Sequence, residues 1–438
     1  MQHYDLIVIG FGKAGKTLAA KLGSQGKKVA IIEKSDKMYG GTCINIGCIP
    51  TKTLIVAAER GDDFSTAMAT KNQVTDRLRN KNLAAFSAHA DVYTAQARFI
   101  SNKIIEISAA NGERKQLEGE IILINTGAVS VQLPIEGLAT SKNVFDSTGI
   151  QQLSEQPKRL GIIGGGNIGL EFAGLYARLG SEVRVFDPNP RILMREEEKF
   201  SALAQEYMSQ QKVNFELNSR VQKVFNRGEQ VVVQTEEAEF TFDALLYATG
   251  RKPNTADLGL ENTEIKLTHR GAIEVNEFCE SSVKNVFAAG DVNGGLQFTY
   301  VSLDDFRIIS NYLQGKTDYS LKQRQNVPYT LFMDPPFSRV GLNEDEAKKA
   351  GINYASKEIP LAAMPRAHVN GDLRGLFKVL VDPESKRILG ATLFGAESAE
   401  LINLITLAMN CDIPYTRLQS QIFTHPTMAE NFNDLFAI

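Results

Sequence analysis

Tyr4-Asp5-Leu6-Ile7-Val8-Ile9-Gly10-Phe11-Gly12-Lys13-Ala14-Gly15 opens the chain with an apolar run that breaks into three glycines. The run predicts a buried strand, and Lys16-Thr17-Leu18-Ala19-Ala20-Lys21-Leu22 predicts the helix that follows. A second strand, Lys28-Val29-Ala30-Ile31-Ile32, ends on Glu33. Strand, glycine turn, helix, strand and acid together make a dinucleotide-binding fingerprint. Gly10, Gly12 and Gly15 let the backbone approach a pyrophosphate at the helix N-terminus, and Glu33 is placed to accept a ribose hydroxyl. The glycines alone would leave a plain βαβ turn open; both strands and the acid argue against it.

The design recurs 154 residues later, counting from Gly10 to Gly164. Arg159–Ile163 is a strand, Gly164-Gly165-Gly166-Asn167-Ile168-Gly169 is the turn, and an apolar helix runs from Leu170 to Leu179. The strand Glu182–Phe186 then ends on Asp187. First glycine and terminal acid are 23 residues apart in both copies (10 to 33, and 164 to 187). Equal internal spacing predicts two bound dinucleotides. Asp187 favours NADH, because a carboxylate repels a 2′-phosphate; Arg184 and Arg191 lie near enough in sequence to blur that preference.

Downstream of the first unit comes Gly40-Gly41-Thr42-Cys43-Ile44-Asn45-Ile46-Gly47-Cys48-Ile49-Pro50-Thr51-Lys52, with two of the four cysteines. Residues five apart in a regular helix have Cα atoms roughly 8.7 Å apart, whereas a disulfide needs about 4.4–6.8 Å. A bonded pair therefore requires an irregular helix start, and Gly47 is the residue free to supply it. A regular turn beyond Cys48 puts Lys52 on the same face as the second sulfur. The pair reads as a redox couple beside a cofactor, as two core thiols, or as half of a metal site. No second Cys/His cluster completes zinc ligation.

The composition is ordinary for a soluble chain of two to four domains: 438 residues, 43% hydrophobic and 23% charged. A net charge of −3 predicts no attraction to nucleic acid or to an anionic membrane. Without a signal-peptide pattern, a spanning apolar run or a disulfide scaffold, a cytoplasmic location is expected.

The segment from Ala57 to His89 is polar and helical in pattern, and alternating strands follow around Val92–Ile107. Ile121–Ile124 and Ala244–Tyr247 are apolar strands closing on Thr126-Gly127 and Thr249-Gly250. Val286–Ala288 delivers Asp291 just past a strand end, where open α/β sheets bind ligands. Beyond Pro328 the texture becomes α+β. Its last motif, Thr424-His425-Pro426-Thr427-Met428-Ala429-Glu430, supports two readings: a capping box from Thr427 and Glu430, or an acid/base His425 held by Glu430. Spacing does not choose between them. Cys279 and Cys411 stand singly and read as structural, and His368 reads as a solvated loop histidine.

These residues resemble the class I pyridine nucleotide-disulfide oxidoreductases, the flavoprotein disulfide reductases. The carriers are Gly10–Gly15 with Glu33, Gly41-Thr42-Cys43…Cys48, Gly164–Gly169, Ala248-Thr249-Gly250-Arg251, Ala289-Gly290-Asp291 and His425-Pro426-Thr427…Glu430. The resemblance implies an α/β fold: two Rossmann-like domains and a C-terminal α+β dimerisation domain. The expected partition is an FAD domain at 1–148 with a return segment at 271–326, a nucleotide domain at 149–270, and an interface domain at 327–438. It implies FAD on Gly10, Gly12, Gly15, Glu33, Gly41, Thr42, Lys52, Thr126, Gly127 and Asp291. NADH or NADPH would lie on Gly164, Gly166, Asn167, Ile168, Gly169, Asp187 and Gly250.

By the same resemblance Cys48 lies against the flavin and Cys43 meets the substrate. Lys52 pairs with Glu171 beside the flavin ring. His425, held by Glu430, enters the partner's site in a homodimer, and the cap can coexist with that dyad. No metal site is implied.

Departures narrow the substrate. Asn167 stands where a gating Tyr or Val is common, and no arginine-rich glutathione docking set is evident in the first ninety residues. Lys37–Leu54 and Gly294–Asp305 look most like the bacterial reactive-chlorine-resistance reductases, a subgroup associated with hypothiocyanous acid and, in some members, Cu(II). The expected activity is therefore NAD(P)H-dependent reduction of hypothiocyanous acid, with a Cys43 thiolate made acidic by positive charge. The alternatives are Cu(II), lipoamide or a small disulfide as acceptor, or a non-catalytic flavin-binding redox sensor.

Overall fold

The computed structural model covers all 438 residues. The chain forms two compact units, one of residues 1–132, 146–154 and 249–323, the other of 133–145, 155–248 and 324–438.

In the first unit, β1 (Gln2–Ile9), α1 (Lys13–Ser24) and β2 (Val29–Glu33) build the predicted βαβ turn. Along β1, Leu6 and Val8 face Phe11, Ala14 and Leu18, while Ile7 and Ile9 face the opposite cluster with Phe99, Ile105 and Ile122. Burial on both faces explains the unbroken apolar run, each such side chain contributing roughly 1.5–3 kcal/mol. α2 (Thr42–Asn45) comes first, and the stretch expected to be helical from Ala57 to His89 spans the end of α3 (Cys48–Glu59) and all of α4 (Phe64–Ser87). Asp63 separates the last two by capping α4: its Oδ1 accepts from the Thr66 N–H at 2.7 Å.

Next come β3 (Asp91–Phe99), β4 (Ile104–Ala109) and β5 (Arg114–Ile124). The second half of β5 lies parallel to β1, and the return strand Val286–Ala288 lies parallel to Ile122–Ile124. The parallel strand ends therefore deliver Gly10, Glu33, Thr126 and Asp291 to one edge. The chain re-enters this unit at Thr249 rather than at 271, because Arg251–Pro253 pairs antiparallel with β6 (Ala128–Ser130). Gly250, grouped by sequence with the second unit, thus belongs to the first.

The second unit carries β7 (Val144–Phe145), β8 (Arg159–Ile163), α5 (Asn167–Arg178), β9 (Glu182–Phe186), α6 (Glu198–Gln210) and β10 (Val213–Glu216). Its parallel sheet has the order β10, β9, β8, Ala244–Tyr247, β7. Residues 324–438 add a five-stranded antiparallel sheet with helix Ser398–Asn410 packed on it. Within this unit Arg339 reaches Glu196 at 3.2 Å and Lys378 reaches Glu197 at 2.5 Å, tying the nucleotide fold to the antiparallel sheet. His368 lies on a short helix, Pro365–Asn370, not in the loop expected of it. No helix is long and apolar enough to cross a membrane.

Candidate redox site

A broken helix delivers the cysteine pair. α2 lasts one turn, Gly47 reverses the chain at φ −118° and ψ −114°, and α3 restarts at Cys48. A Cβ on Gly47 would sit 3.1 Å from the Thr42 carbonyl oxygen, tighter than an ordinary contact. The irregularity predicted at Gly47 brings the two thiols into mutual hydrogen-bond contact. Cys48 Sγ is 3.6 Å from Thr299 Oγ1. Cys48 heads α3 and Thr299 heads helix Thr299–Tyr312, so the N-termini of two helices meet at that sulfur.

Cys43 departs from expectation. Its hydrogen bond to Cys48 and its burial push the thiol up, while Thr299 and the Lys16 ammonium pull it down. The positive charge foreseen from sequence is present, but the bond to Cys48 and burial act against it.

The first dinucleotide cradle is built around this segment. Gly41 holds φ +79°, and a Cβ there would lie 2.9 Å from Gly12 Cα, so the cysteine segment rests directly on the glycine turn. Thr42 lies beside Gly127, and Thr126 Oγ1 donates to the Asn254 carbonyl at 2.7 Å. Glu33 is buried, and its carboxylate accepts from the N–H groups of Phe11 (3.1 Å) and Ser35 (3.2 Å). Burial pushes its carboxyl up, opposed by those bonds. Asp291 is likewise pushed up by burial and pulled down by the Arg251 charge. α1 has neither a side-chain cap nor an acidic residue in its first turn. A pyrophosphate fits there, with Glu33 at the ribose position, as FAD requires.

Sequence reading missed the residues that hold this cradle from behind. Asn125 Oδ1 accepts from the Gly15 N–H at 2.9 Å, and its Nδ2 donates to the Ala289 carbonyl at 2.5 Å. Ser302 Oγ accepts from the Ala14 N–H at 3.2 Å, and buried Asp305 accepts from the Gly290 N–H at 2.7 Å. Only the position of Asn125 directly ahead of Thr126-Gly127 could have signalled any of them.

In the second unit, Gly166 and Asn167 are exposed at the start of α5, which also lacks a side-chain cap and a first-turn acid. Ile168 is half-buried, and Gly169 packs so closely on Gly164 that a Cβ would lie 1.9 Å from its carbonyl oxygen. Asp187 Oδ2 accepts from the Gly165 N–H at 2.7 Å, and Oδ1 accepts from Asn189 through the backbone (2.9 Å) and side chain (2.7 Å). The arrangement fits a nicotinamide dinucleotide. Arg184 is taken by Glu216 and the Phe240 ring, and Arg191 by the carbonyls of Leu193, Met194 and Glu196.

Also in this unit, His425 Nδ1 lies 2.8 Å from Glu430 Oε2. Glu430 Oε1 accepts from the Thr427 N–H and Thr427 Oγ1 accepts from the Glu430 N–H, both at 3.3 Å. Dyad and capping box therefore coexist, one carboxylate oxygen serving each. The His425 side chain is 70% exposed. Glu171 Oε1 accepts from the Phe332 N–H at 3.0 Å. Lys52 is half-buried on α3 in the first unit, one turn beyond Cys48. Cys279 is fully buried and Cys411 exposed.

Residues 4–305 match the family model described as pyridine nucleotide-disulphide oxidoreductase, and 327–436 match the dimerisation domain of that family. The chain is 46% identical over 440 residues to the probable pyridine nucleotide-disulfide oxidoreductase RclA of Escherichia coli, covering 100% of both chains. It is 33% identical to the dihydrolipoyl dehydrogenase of Thermus scotoductus, covering 98% of this chain and 96% of that one. Among solved structures, the Cu(II) complex of the HOCl-induced flavoprotein disulfide reductase RclA of E. coli superposes with a TM-score of 0.97 at 45% identity, covering 100% of this chain and 99% of the other. The paired thiols on a glycine turn and the two dinucleotide cradles thus agree with the matches: this chain belongs to the pyridine nucleotide-disulphide oxidoreductase family.

Proposed function

We propose that the chain is a cytoplasmic reductase that uses the Cys43–Cys48 couple to reduce hypothiocyanous acid. The observation that carries this is the thiol pair itself: partly open to solvent, hydrogen-bonded, and seated on a flavin-type cradle. Similarity to a reductase induced by HOCl supports an oxidant as acceptor. FAD held at the Gly10–Gly15 turn and Glu33 would supply the two electrons that reduce the disulfide, and a nicotinamide nucleotide at the Gly164–Gly169 turn would be their source.

The Cys43 thiol then gives its proton to a base and attacks the sulfur of hypothiocyanous acid, and hydroxide leaves as water. Cys48 attacks the Cys43 sulfur, restoring the disulfide and releasing thiocyanate. Two thiols and one hypothiocyanous acid yield a disulfide, water, thiocyanate and one proton. The base is His425 with Glu430, contributed by the partner in a homodimer. Leu404, Leu407 and Ile422, exposed on the C-terminal domain, supply apolar surface for that association. Lys52 is a proposed flavin-side residue. NADH is the favoured donor, because Asp187 repels a 2′-phosphate while Arg184 and Arg191 are already engaged.

Cu(II) is a second candidate acceptor, favoured by the copper complex of the E. coli relative. Steady-state oxidation of NADH and of NADPH against hypothiocyanous acid, Cu(II), lipoamide and a small disulfide tests the assignment. Turnover is expected with hypothiocyanous acid and NADH, and no turnover with that acid overturns it. Cys43→Ser should retain FAD and lose turnover entirely; an active variant would overturn the thiol scheme.

A further inference from the structure

Lys16 is a buried cation that no part of this scheme uses. It lies just past the glycine turn on α1 and is only 5% exposed. Its Nζ donates to the Gly40 carbonyl at 3.1 Å and to Asn82 Oδ1 on α4 at 2.7 Å, and stands 5.9 Å from the centre of the Phe86 ring. A lysine takes a site this dry only at a cost in desolvation, so its partners matter. Gly40 opens the segment that carries Cys43.

Three residues complete the clasp. Asn45 Nδ2 donates to the carbonyls of Tyr39 (3.0 Å) and Gly41 (2.9 Å). Its Oδ1 accepts from Arg79 Nε on α4 at 2.8 Å. Asn82 Nδ2 donates to the Leu78 carbonyl at 2.8 Å, which turns Oδ1 toward the lysine. Tyr39, Gly40 and Gly41 thus have their carbonyls gripped in succession by Lys16 and Asn45, both braced on α4.

We propose that Lys16 is a positioning residue for the redox pair: its ammonium fixes the turn that presents Cys43 and supplies the buried positive charge felt by that sulfur. The inference rests on the reading of Cys43 and Cys48 as the reacting couple and is independent of the acceptor. The charged and titratable groups facing these atoms are Lys13 and Cys43 around the ammonium, with Cys48 and the Lys16 charge around Cys43. Burial, reinforced by Lys13, pulls Lys16 down to about 8, and a Cys43 thiolate raises it. An ammonium at Lys16 and a thiolate at Cys43 therefore favour each other.

The test uses reduced holoenzyme, anaerobic and without any electron acceptor, so failure of the hypothiocyanous acid assignment leaves its outcome intact. Iodoacetamide labelling of the peptide bearing Cys43 is followed by mass spectrometry as a function of pH. Lys16→Met removes both tether and charge, Lys16→Gln keeps a donor without charge, and Lys16→Arg keeps the charge. The midpoint of the labelling curve should rise by about one unit in the two neutral variants and stay near the wild-type value in Lys16→Arg. If Lys16→Met fails to fold, the Gln and Arg variants decide. Unchanged midpoints in the neutral variants, with only a lower melting temperature, would reduce Lys16 to a packing residue and overturn the proposal.

Discussion

Glu430 shows how one carboxylate can hold two roles at once. One oxygen faces His425 and the other closes the box with Thr427. The two roles separate by mutation. Thr427→Ala should cost about 1 kcal/mol of stability in thermal unfolding and leave kcat unchanged. His425→Gln should lower kcat roughly 100-fold with little change in melting temperature, because the imidazole is exposed. Glu430→Gln should show both losses; a Glu430→Gln enzyme with normal kcat would leave only the cap. The base is proposed for Cys43, whose thiol is pushed up by its bond to Cys48 and by burial.

The glycine turn ahead of α1 and the cysteine segment behave as one element, because their backbones touch. A methyl group on Gly41 has no room against Gly12 Cα, and its φ of +79° disfavours any side chain. Gly41→Ala should therefore destabilise the protein by about 1–3 kcal/mol. It should also lower the flavin content of the purified protein, read from the ratio of visible to ultraviolet absorbance. A fully loaded, equally stable variant would show that the contact is dispensable. The break between α2 and α3 has the same origin. Two sulfurs cannot meet across five residues of regular helix, and Gly47 carries the backbone excursion that lets them.

At the level of the assembly, the proposed site needs a thiol from one subunit and a histidine from the other. Mixing inactive Cys43→Ser with Cys43-intact His425→Gln, by co-expression with two tags, should yield heterodimers with one complete site. Their activity should approach half that of wild type. Heterodimers no more active than the parents would place His425 in its own subunit's site or outside catalysis.

Much of this architecture was legible along the chain, because local chemistry writes it there. The βαβ turns show as apolar runs ending in glycines and acids. The cysteine spacing demands a kink at the glycine beside Cys48, and Thr427-x-x-Glu430 carries the pattern of a capping box. What stayed hidden were the ties between distant segments. Asn125 binds Gly15 across 110 positions and Ser302 binds Ala14 across 288. Lys16 reaches Asn82 across 66, and the chain recrosses to its first unit at Thr249, ahead of any change in composition. The acidity of Cys43 went the same way. A neighbouring positive charge could be foreseen, but whether it outweighs the bond to the second sulfur depends on distance and burial, which exist only once the chain has closed on itself.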